Sequence, residues 1–275
     1  MPLPDAAIRV LEPLREAPER SALLLDLDGT LAPIAPRPGD ARLIAGAAGL
    51  LRALRDHLRL VAFISGRGLA DLTAIVGVEG LGYAGNHGME IQHPGEDPRT
   101  AEPARPWLSR VAAWSGAHDE RELGAHGLRM EDKGATASVH WRGAPDPDRA
   151  EAHLRDVLAP SAERAGLRVT WGRMVMEVRP PVAVDKGTAA RELIERAGCR
   201  RAVHIGDDRT DVDAWRVLHA LRAAGALEVG CGVAAVGAEV PDVVREAADA
   251  VVAGPHGALA ALRFCADGLP AGGHP

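Results

Sequence analysis

The sequence predicts an α/β protein: a doubly wound parallel-sheet core interrupted by a smaller α+β unit. Short apolar runs that stop at polar turn signals alternate with Ala/Leu-rich helical segments on both flanks of the chain. The middle instead carries alternating segments closed by glycine turns. Several apolar runs end on acidic, hydroxyl or basic side chains, so polar groups collect at the ends of the expected strands.

The first element is a short helix, Asp5–Glu16, with Ile8, Leu11 and Leu14 on one face. "SALLLDL", from Ser21, is a continuous apolar run, the pattern of a parallel strand covered on both faces. Residues 41–57 have helical spacing, and "LRLVAFISGRG" is a second buried strand closed by Ser65-Gly66. A helix from about Leu69 follows, then "GLGYAGNHGMEIQ", read as one strand with a polar exit. Toward the other end, "DKGTAARELIERAG" is a helix opening just after Lys186, and "RAVHIGDDRTD" is a strand that stops at Gly206. A helix runs through "VDAWRVLHALRAAG"; "LEVGCGV" and "ADAVVAG" are short strands, and residues 257–265 form the last helix.

Between these flanks lies a Trp-containing helix, then "LRMEDKGATASVHWR", which alternates and turns near Gly134. A helix over about 146–165 precedes "GLRVTWGRMVMEVRP", with a turn at Gly172-Arg173. Two hairpins and two helices make an α+β unit with an antiparallel sheet. The expected domains are residues 1–104 with 182–275, and an insertion at 105–181, joined by the proline-rich "PGEDPRTAEPARP" and "RPPVAVD".

Composition excludes several classes of function. Hydrophobic residues are 47% and charged residues 25%, ordinary for a globular protein, while aromatics at 3% leave the core to Ala, Val, Leu and Ile. The net charge of −6 leaves no net basic surface to displace counterions from nucleic-acid phosphates, while a small anionic substrate needs only a local basic patch. Cys199, Cys231 and Cys265 lie far apart with no C-x-x-C pair, which fits neither a disulfide framework nor a zinc site. "MPLPDAAIRVLEPLREAPER" lacks the apolar stretch of a secretory signal, and no apolar run approaches the ~20 residues that span a bilayer. The expectation is a cytoplasmic monomer or weak homo-oligomer with no nucleic-acid or membrane partner.

Four sets of residues stand at strand ends or helix starts: Asp26 with Asp28, Ser65-Gly66-Arg67, Lys186, and Asp207 with Asp208 and Asp211. In an open parallel sheet, ligands bind beyond the carboxyl ends of the strands, so all four point to one crevice. Adjacent carboxylates raise one another's cost of ionisation and call for a cation. Oxygen donors suit a hard ion such as Mg²⁺, and a lysine and a hydroxyl beside it suit a bound phosphate. Each set alone has a plain structural explanation: a turn, an N-cap, a surface lysine, helix-start charges. Their order along one chain is what carries the chemistry.

"DLDGTL" (residues 26–31), the strand-end serine, the isolated lysine and "GDDRTD" (206–211) resemble the motifs of the haloacid-dehalogenase superfamily. With "SGR", "YAGNHGME", "EDK", "HWR" and "MEVRP", the chain resembles the trehalose-6-phosphate phosphatase family over about residues 21–263. The resemblance implies a Rossmann-like core with an inserted α+β cap domain that closes over a disaccharide. It implies hydrolysis of trehalose 6-phosphate, in trehalose biosynthesis, through an aspartyl-phosphate, with Mg²⁺. Asp26 would be the nucleophile and Asp28 the general acid and base, while Ser65 and Lys186 would hold the phosphoryl group. Asp26, Asp207 and the main-chain carbonyl at Asp28 would ligate the metal, with Asp208 and Asp211 orienting Lys186 and metal-bound water. Glu131, Lys133 and Glu177 would bind sugar hydroxyls, and Arg67, Asn86, His87 and Arg142 would line the cleft.

Where the family has Glu after the last motif Asp, this chain has Val212, and Trp141 replaces the usual aromatic of the "HYR"-type motif. Glu131 and Lys133 alternate on one strand face, which a cross-strand ion pair would explain as well. Competing expectations are a phosphatase for sucrose, mannosylglycerate or hexose phosphates, and a non-catalytic sugar-phosphate sensor. His118, His126, His153, His204, His219 and His256 show no ligand spacing and receive no role.

Overall fold

The computed structural model describes residues 2–35, 37–172, 174–237 and 240–267. They form two compact units, one from the chain up to Arg99 and from Val184 onward, the other Thr100–Ala183. Arg173 of the expected hairpin turn, and residues 1 and 268–275 of the expected core, lie outside the described residues.

The first unit is built on strands β1 (Ser21–Leu25), β2 (Leu60–Ile64), β3 (Gly82–Gly85), β4 (Glu90–Gln92), β5 (Arg99–Thr100), β10 (Arg201–Gly206), β11 (Val229–Ala235) and β12 (Ala250–Val252). The strands of the second unit, β6 (Arg129–Asp132), β7 (Ala137–His140), β8 (Arg168–Gly172) and β9 (Val175–Arg179), fall between them in sequence. The larger sheet has the order β12-β11-β10-β1-β2-β3-β4-β5. Pairing is parallel from β12 to β3 and antiparallel between β3 and β4.

Period-two alternation sorts the strand side chains onto two faces. Leu23, Leu25, Val61, Phe63, Val203 and Ile205 meet helices α1 (Asp5–Glu16), α2 (Ala47–Arg55), α3 (Leu69–Val76) and α11 (Gly254–Ala266). Ala22, Leu24, Ala62, Ile64 and Ala202 face α8 (Lys186–Ala197) and α9 (Arg209–Ala223). The chain is therefore α/β with helices on both faces, which explains why its strands read as unbroken apolar runs.

Three expectations change. The helix expected over 41–57 begins at Ala47, because Gly46 takes φ +89° and sets the start. The single strand read in "GLGYAGNHGMEIQ" is two antiparallel strands, β3 and β4, joined through Asn86 (φ +50°) and His87 (φ +56°). The last helix opens three residues earlier than expected, with Pro255 in its first turn.

The second unit has the sheet order β6-β7-β9-β8, antiparallel throughout. Its apolar face, with Ala137, Val139, Met176 and Val178, packs on Val111 and Trp114 of α4 (Leu108–Ser115). A short helix, α5 (Glu120–Ala125), that the sequence did not announce supplies Leu123 to the same core. A helix running from α6 (Pro147–His153) through a π turn (Leu154–Leu158) into α7 (Ala159–Arg164) completes it. In the first unit α10 (Asp242–Ala247) was likewise unannounced. Among the described residues, no helix is long and apolar enough to cross a membrane.

Candidate active site

The central strands of the first unit deliver its polar residues to one sheet end. Asp26 continues β1, its N–H donating to Ile205 O at 2.9 Å. The chain then turns at Gly29, whose φ of +78° favours glycine. A Cβ there would lie 2.0 Å from Asp207 Oδ2, so the glycine is also what admits Asp207 to the site. Thr30 Oγ1 donates to Asp207 Oδ1 at 3.0 Å, which aims that carboxylate from the opposite motif.

Lys186 opens α8, where Asp185 caps the helix by accepting from Thr188 N at 2.8 Å and Thr188 Oγ1 accepts from Asp185 N at 3.0 Å. The lysine is 2% exposed, and its Nζ lies 2.7 Å from Asp211 Oδ1 and 3.1 Å from Asp26 Oδ1. Burial works against its charge, but Asp211 and Asp26 more than compensate and hold it as an ammonium. Asp211 Oδ2 accepts from the N–H groups of Asp207 and Asp208 at 3.0 and 2.9 Å, while Asp208 stands at the N-cap of α9. Both oxygens of Asp211 are thus engaged within the protein. Burial alone would raise its pKa; Lys186, His204 and these bonds turn the balance and hold it below the usual range.

Carboxylate oxygens of Asp26, Asp207 and Asp211 come within 4.8 Å of one another. Burial pushes the Asp26 carboxyl well above its usual range despite Lys186, and Asp211, Asp207 and Asp28 add to the rise. Burial, then Asp211, pushes Asp207 up to about 7. One ammonium does not balance three carboxylates, two of them buried and Asp207 half-buried, and a divalent cation is the chemistry that would.

Asp28 and Arg67 pair as a fork: Arg67 Nε and Nη2 donate to the two Asp28 oxygens at 2.6 and 2.9 Å. Arg67 Nη1 also donates to Asp71 Oδ2 at 2.5 Å. Burial opposes this guanidinium's charge, but the two carboxylates raise its pKa further. Ser65, 2% exposed, accepts from Arg67 N at 3.3 Å through Oγ. Asn86 N and His87 N donate to Arg67 O and Ser65 O at 2.7 and 2.9 Å, so the left-handed pair locks onto the Ser65–Arg67 turn. Asn86 Nδ2 donates to Glu90 Oε2 at 2.5 Å, and that oxygen also accepts from Leu69 N at 3.0 Å.

The remaining candidates belong to the second unit. Strand register lines up Glu131, Ser138, Glu177 and Thr170 across its sheet, on the face opposite the apolar core. His140 Nε2 lies 2.7 Å from Glu131 Oε2, and Lys133 Nζ lies 3.7 Å from Glu177 Oε1. Burial favours the neutral Glu131, but His140 and Lys133 outweigh it and keep the carboxyl below its usual range. Cross-strand pairing is therefore present, Lys133 with Glu177 as an ion pair and His140 with Glu131 through its ring nitrogen, and it holds polar groups in a row. Arg142 is exposed just beyond β7.

Sequence reading missed Thr30, Asp71, Glu90, His140 and His204. Thr30, Glu90 and His140 lay inside quoted motifs, and Asp71 stands four residues from Arg67; what stayed hidden is which partner each side chain reaches, and for His204 that partner is Asp211, met through tertiary packing. Cys199, Cys231 and Cys265 are buried and form no disulfide.

The family model for trehalose-phosphatase matches residues 24–242. A trehalose-phosphate phosphatase of Mycobacterium marinum is 36% identical over 221 residues, 78% of this chain and 55% of that protein. An uncharacterized glycosyl hydrolase of Mycobacterium tuberculosis is 40% identical over 227 residues, 78% of this chain and 16% of that protein. The chain thus spans about half, or much less, of the curated relatives it matches. The C-terminal domain of Candida albicans trehalose-6-phosphate phosphatase shares the fold, with a TM-score of 0.73 at 23% identity, covering 96% of this chain and 97% of that one. The motifs at the sheet end and the match across both units agree: the chain belongs to the trehalose-phosphatase family.

Proposed function

We propose that the protein is a Mg²⁺-dependent phosphatase that releases trehalose and phosphate from trehalose 6-phosphate. The observation that carries the chemistry is Lys186, buried between Asp26 and Asp211, with Asp207 beside them. The lysine favours the ionised form of Asp26 in a buried site, and a bound cation would complete the balance and leave Asp26 poised as a nucleophile.

Asp26 would attack phosphorus as the bond from phosphorus to the sugar oxygen breaks, giving an aspartyl-phosphate and the leaving alcohol. Asp28 would give that oxygen its proton and later take one from the water that cleaves the aspartyl-phosphate. In the arrangement described, both Asp28 oxygens accept from Arg67, so proton donation requires this fork to open. Ser65 and Lys186 would hold the phosphoryl oxygens, and oriented charge would supply most of the acceleration.

Asp26 and Asp207, with the main-chain carbonyl at Asp28, would hold Mg²⁺; Asp211, with both oxygens committed, is better placed to anchor Lys186. When bound, the ion would neutralise charge on the phosphoryl group and on the aspartates. The row of Glu131, Lys133 and Glu177 offers the donors and acceptors that sugar hydroxyls need when desolvated. Asn86 and His87 would line the same cleft, and their main-chain N–H groups hold the Ser65–Arg67 turn.

The test is phosphate release from trehalose 6-phosphate, sucrose 6-phosphate and glucose 6-phosphate, with Mg²⁺ or EDTA, for wild type and Asp26→Asn. Strong preference for the first, lost with EDTA and with the variant, is expected. Metal-dependent release from another sugar would replace the substrate; tight binding without turnover would make the protein a sensor.

A further inference from the structure

Behind Lys186 lies a buried pair that the proposed reaction does not use. His204, on β10, and Trp215, on α9, are each 0% exposed. Asp211 and Trp215 stand one helical turn apart on α9, so both face the strand that carries His204. Gly232 pairs with His204 in the sheet, and a Cβ there would lie 2.3 Å from the Trp215 ring. The missing side chain is what lets the indole reach the imidazole.

Trp215 Nε1 donates to His204 Nδ1 at 3.0 Å and to His204 O at 3.2 Å. An indole N–H can only donate, so Nδ1 must be an acceptor and the neutral ring carries its proton on Nε2. Among the described residues Nε2 has no hydrogen-bond partner; it lies 3.6 Å from Asp211 Oδ1, the oxygen that accepts from Lys186. At that distance the contact is an oriented dipole facing a carboxylate rather than a hydrogen bond. In a buried interior of low dielectric such a dipole still attracts the carboxylate and fixes where its oxygen sits. Burial, with Lys186 close by, pushes His204 down to about 4 although Asp211 pulls the other way, so the ring stays neutral where the enzyme would work.

We propose that His204, fixed as its Nε2–H tautomer by Trp215, is a positioning residue that holds the Asp211 oxygen orienting Lys186 against Asp26. The inference rests on the phosphatase reading for its kinetic consequence and on geometry alone for the tautomer. It runs through an unbroken series of buried contacts: Trp215 to His204, His204 to Asp211, Asp211 to Lys186, Lys186 to Asp26.

The test compares wild type, His204→Leu, His204→Gln and Trp215→Phe on trehalose 6-phosphate and on p-nitrophenyl phosphate, with nitrogen NMR of His204. His204→Leu is expected to lower kcat about tenfold with KM nearly unchanged, because Lys186 loses its alignment with Asp26 while the sugar contacts stay intact. His204→Gln, which restores a side-chain N–H, should recover much of that loss. The nitrogen shifts should report Nε2–H in wild type and lose that preference in Trp215→Phe. An Nδ1–H tautomer in wild type overturns the proposal. So does a loss in His204→Leu that Gln does not relieve, the signature of packing alone. If p-nitrophenyl phosphate is hydrolysed and trehalose 6-phosphate is not, the substrate reading fails while the kinetic test stands. If neither is hydrolysed, the phosphatase reading fails, and the nitrogen shifts decide the tautomer regardless.

Discussion

Replacing Lys186 by methionine keeps length and volume near the original but removes the cation between Asp26 and Asp211, two carboxylates whose residues are 5% and 0% exposed. Breaking a buried ion pair from one side costs about 3–5 kcal/mol, because the partner charge is left uncompensated. The cost depends on pH with a definite sign. In wild type the lysine's pKa is raised in the fold, so its contribution is fully present at neutral pH and is lost only in strong alkali. In the variant the stranded carboxyls have pKa values above their unfolded value of about 3.9. The fold then retains protons that the unfolded chain has released, and stability falls by about 1.4 kcal/mol per pH unit for each such proton. Urea unfolding in EDTA should therefore give a deficit against wild type that is larger at about pH 8 than at about pH 5. Adding Asp211→Asn should recover roughly 2 kcal/mol by removing one of the stranded charges. An equal deficit at both pH values, or one below about 1 kcal/mol, would refute the view that Lys186 compensates buried charge.

Three further outcomes follow from the same geometry. Gly29→Ala places a Cβ 2.0 Å from Asp207 Oδ2 at φ +78°; backbone strain of about 1–2 kcal/mol and displacement of Asp207 should lower both melting temperature and turnover, and wild-type turnover would sink the argument. Asp207 is raised to about 7, so below that pH a cation must displace a proton; the thermal shift produced by Mg²⁺ should shrink on acidification, with apparent affinity falling about tenfold per pH unit per proton displaced. An ion-induced shift independent of pH would place the ion elsewhere. Glu177→Gln should raise KM for trehalose 6-phosphate about tenfold while sparing p-nitrophenyl phosphate; parallel losses on both substrates would remove Glu177 from sugar recognition.

The alternation of apolar runs and helical segments was legible in the sequence because burial on both faces of a parallel sheet forces it. Along β1, Leu23 and Leu25 meet one helical layer, while Ala22 and Leu24 meet the other. Asp26, Ser65, Lys186 and Asp207 were legible as a group because parallel strands end on the same side of the sheet. Helix and strand limits set by backbone conformation were not. Gly46 and the left-handed Asn86 and His87 decide where α2 begins and where β3 turns back, and left-handed non-glycine residues carry no hydrophobic signal. Pairings at long separation were equally hidden. Nothing local ties Thr30 to Asp207, Arg67 to both oxygens of Asp28, or Trp215 to His204 behind Lys186. The sequence by itself determined which groups stand at the strand ends, since periodicity and turn residues act locally. Which of those groups touch, which are buried, and hence which hold their charge, only the tertiary structure decided, because desolvation and Coulomb interaction depend on distances that packing alone sets.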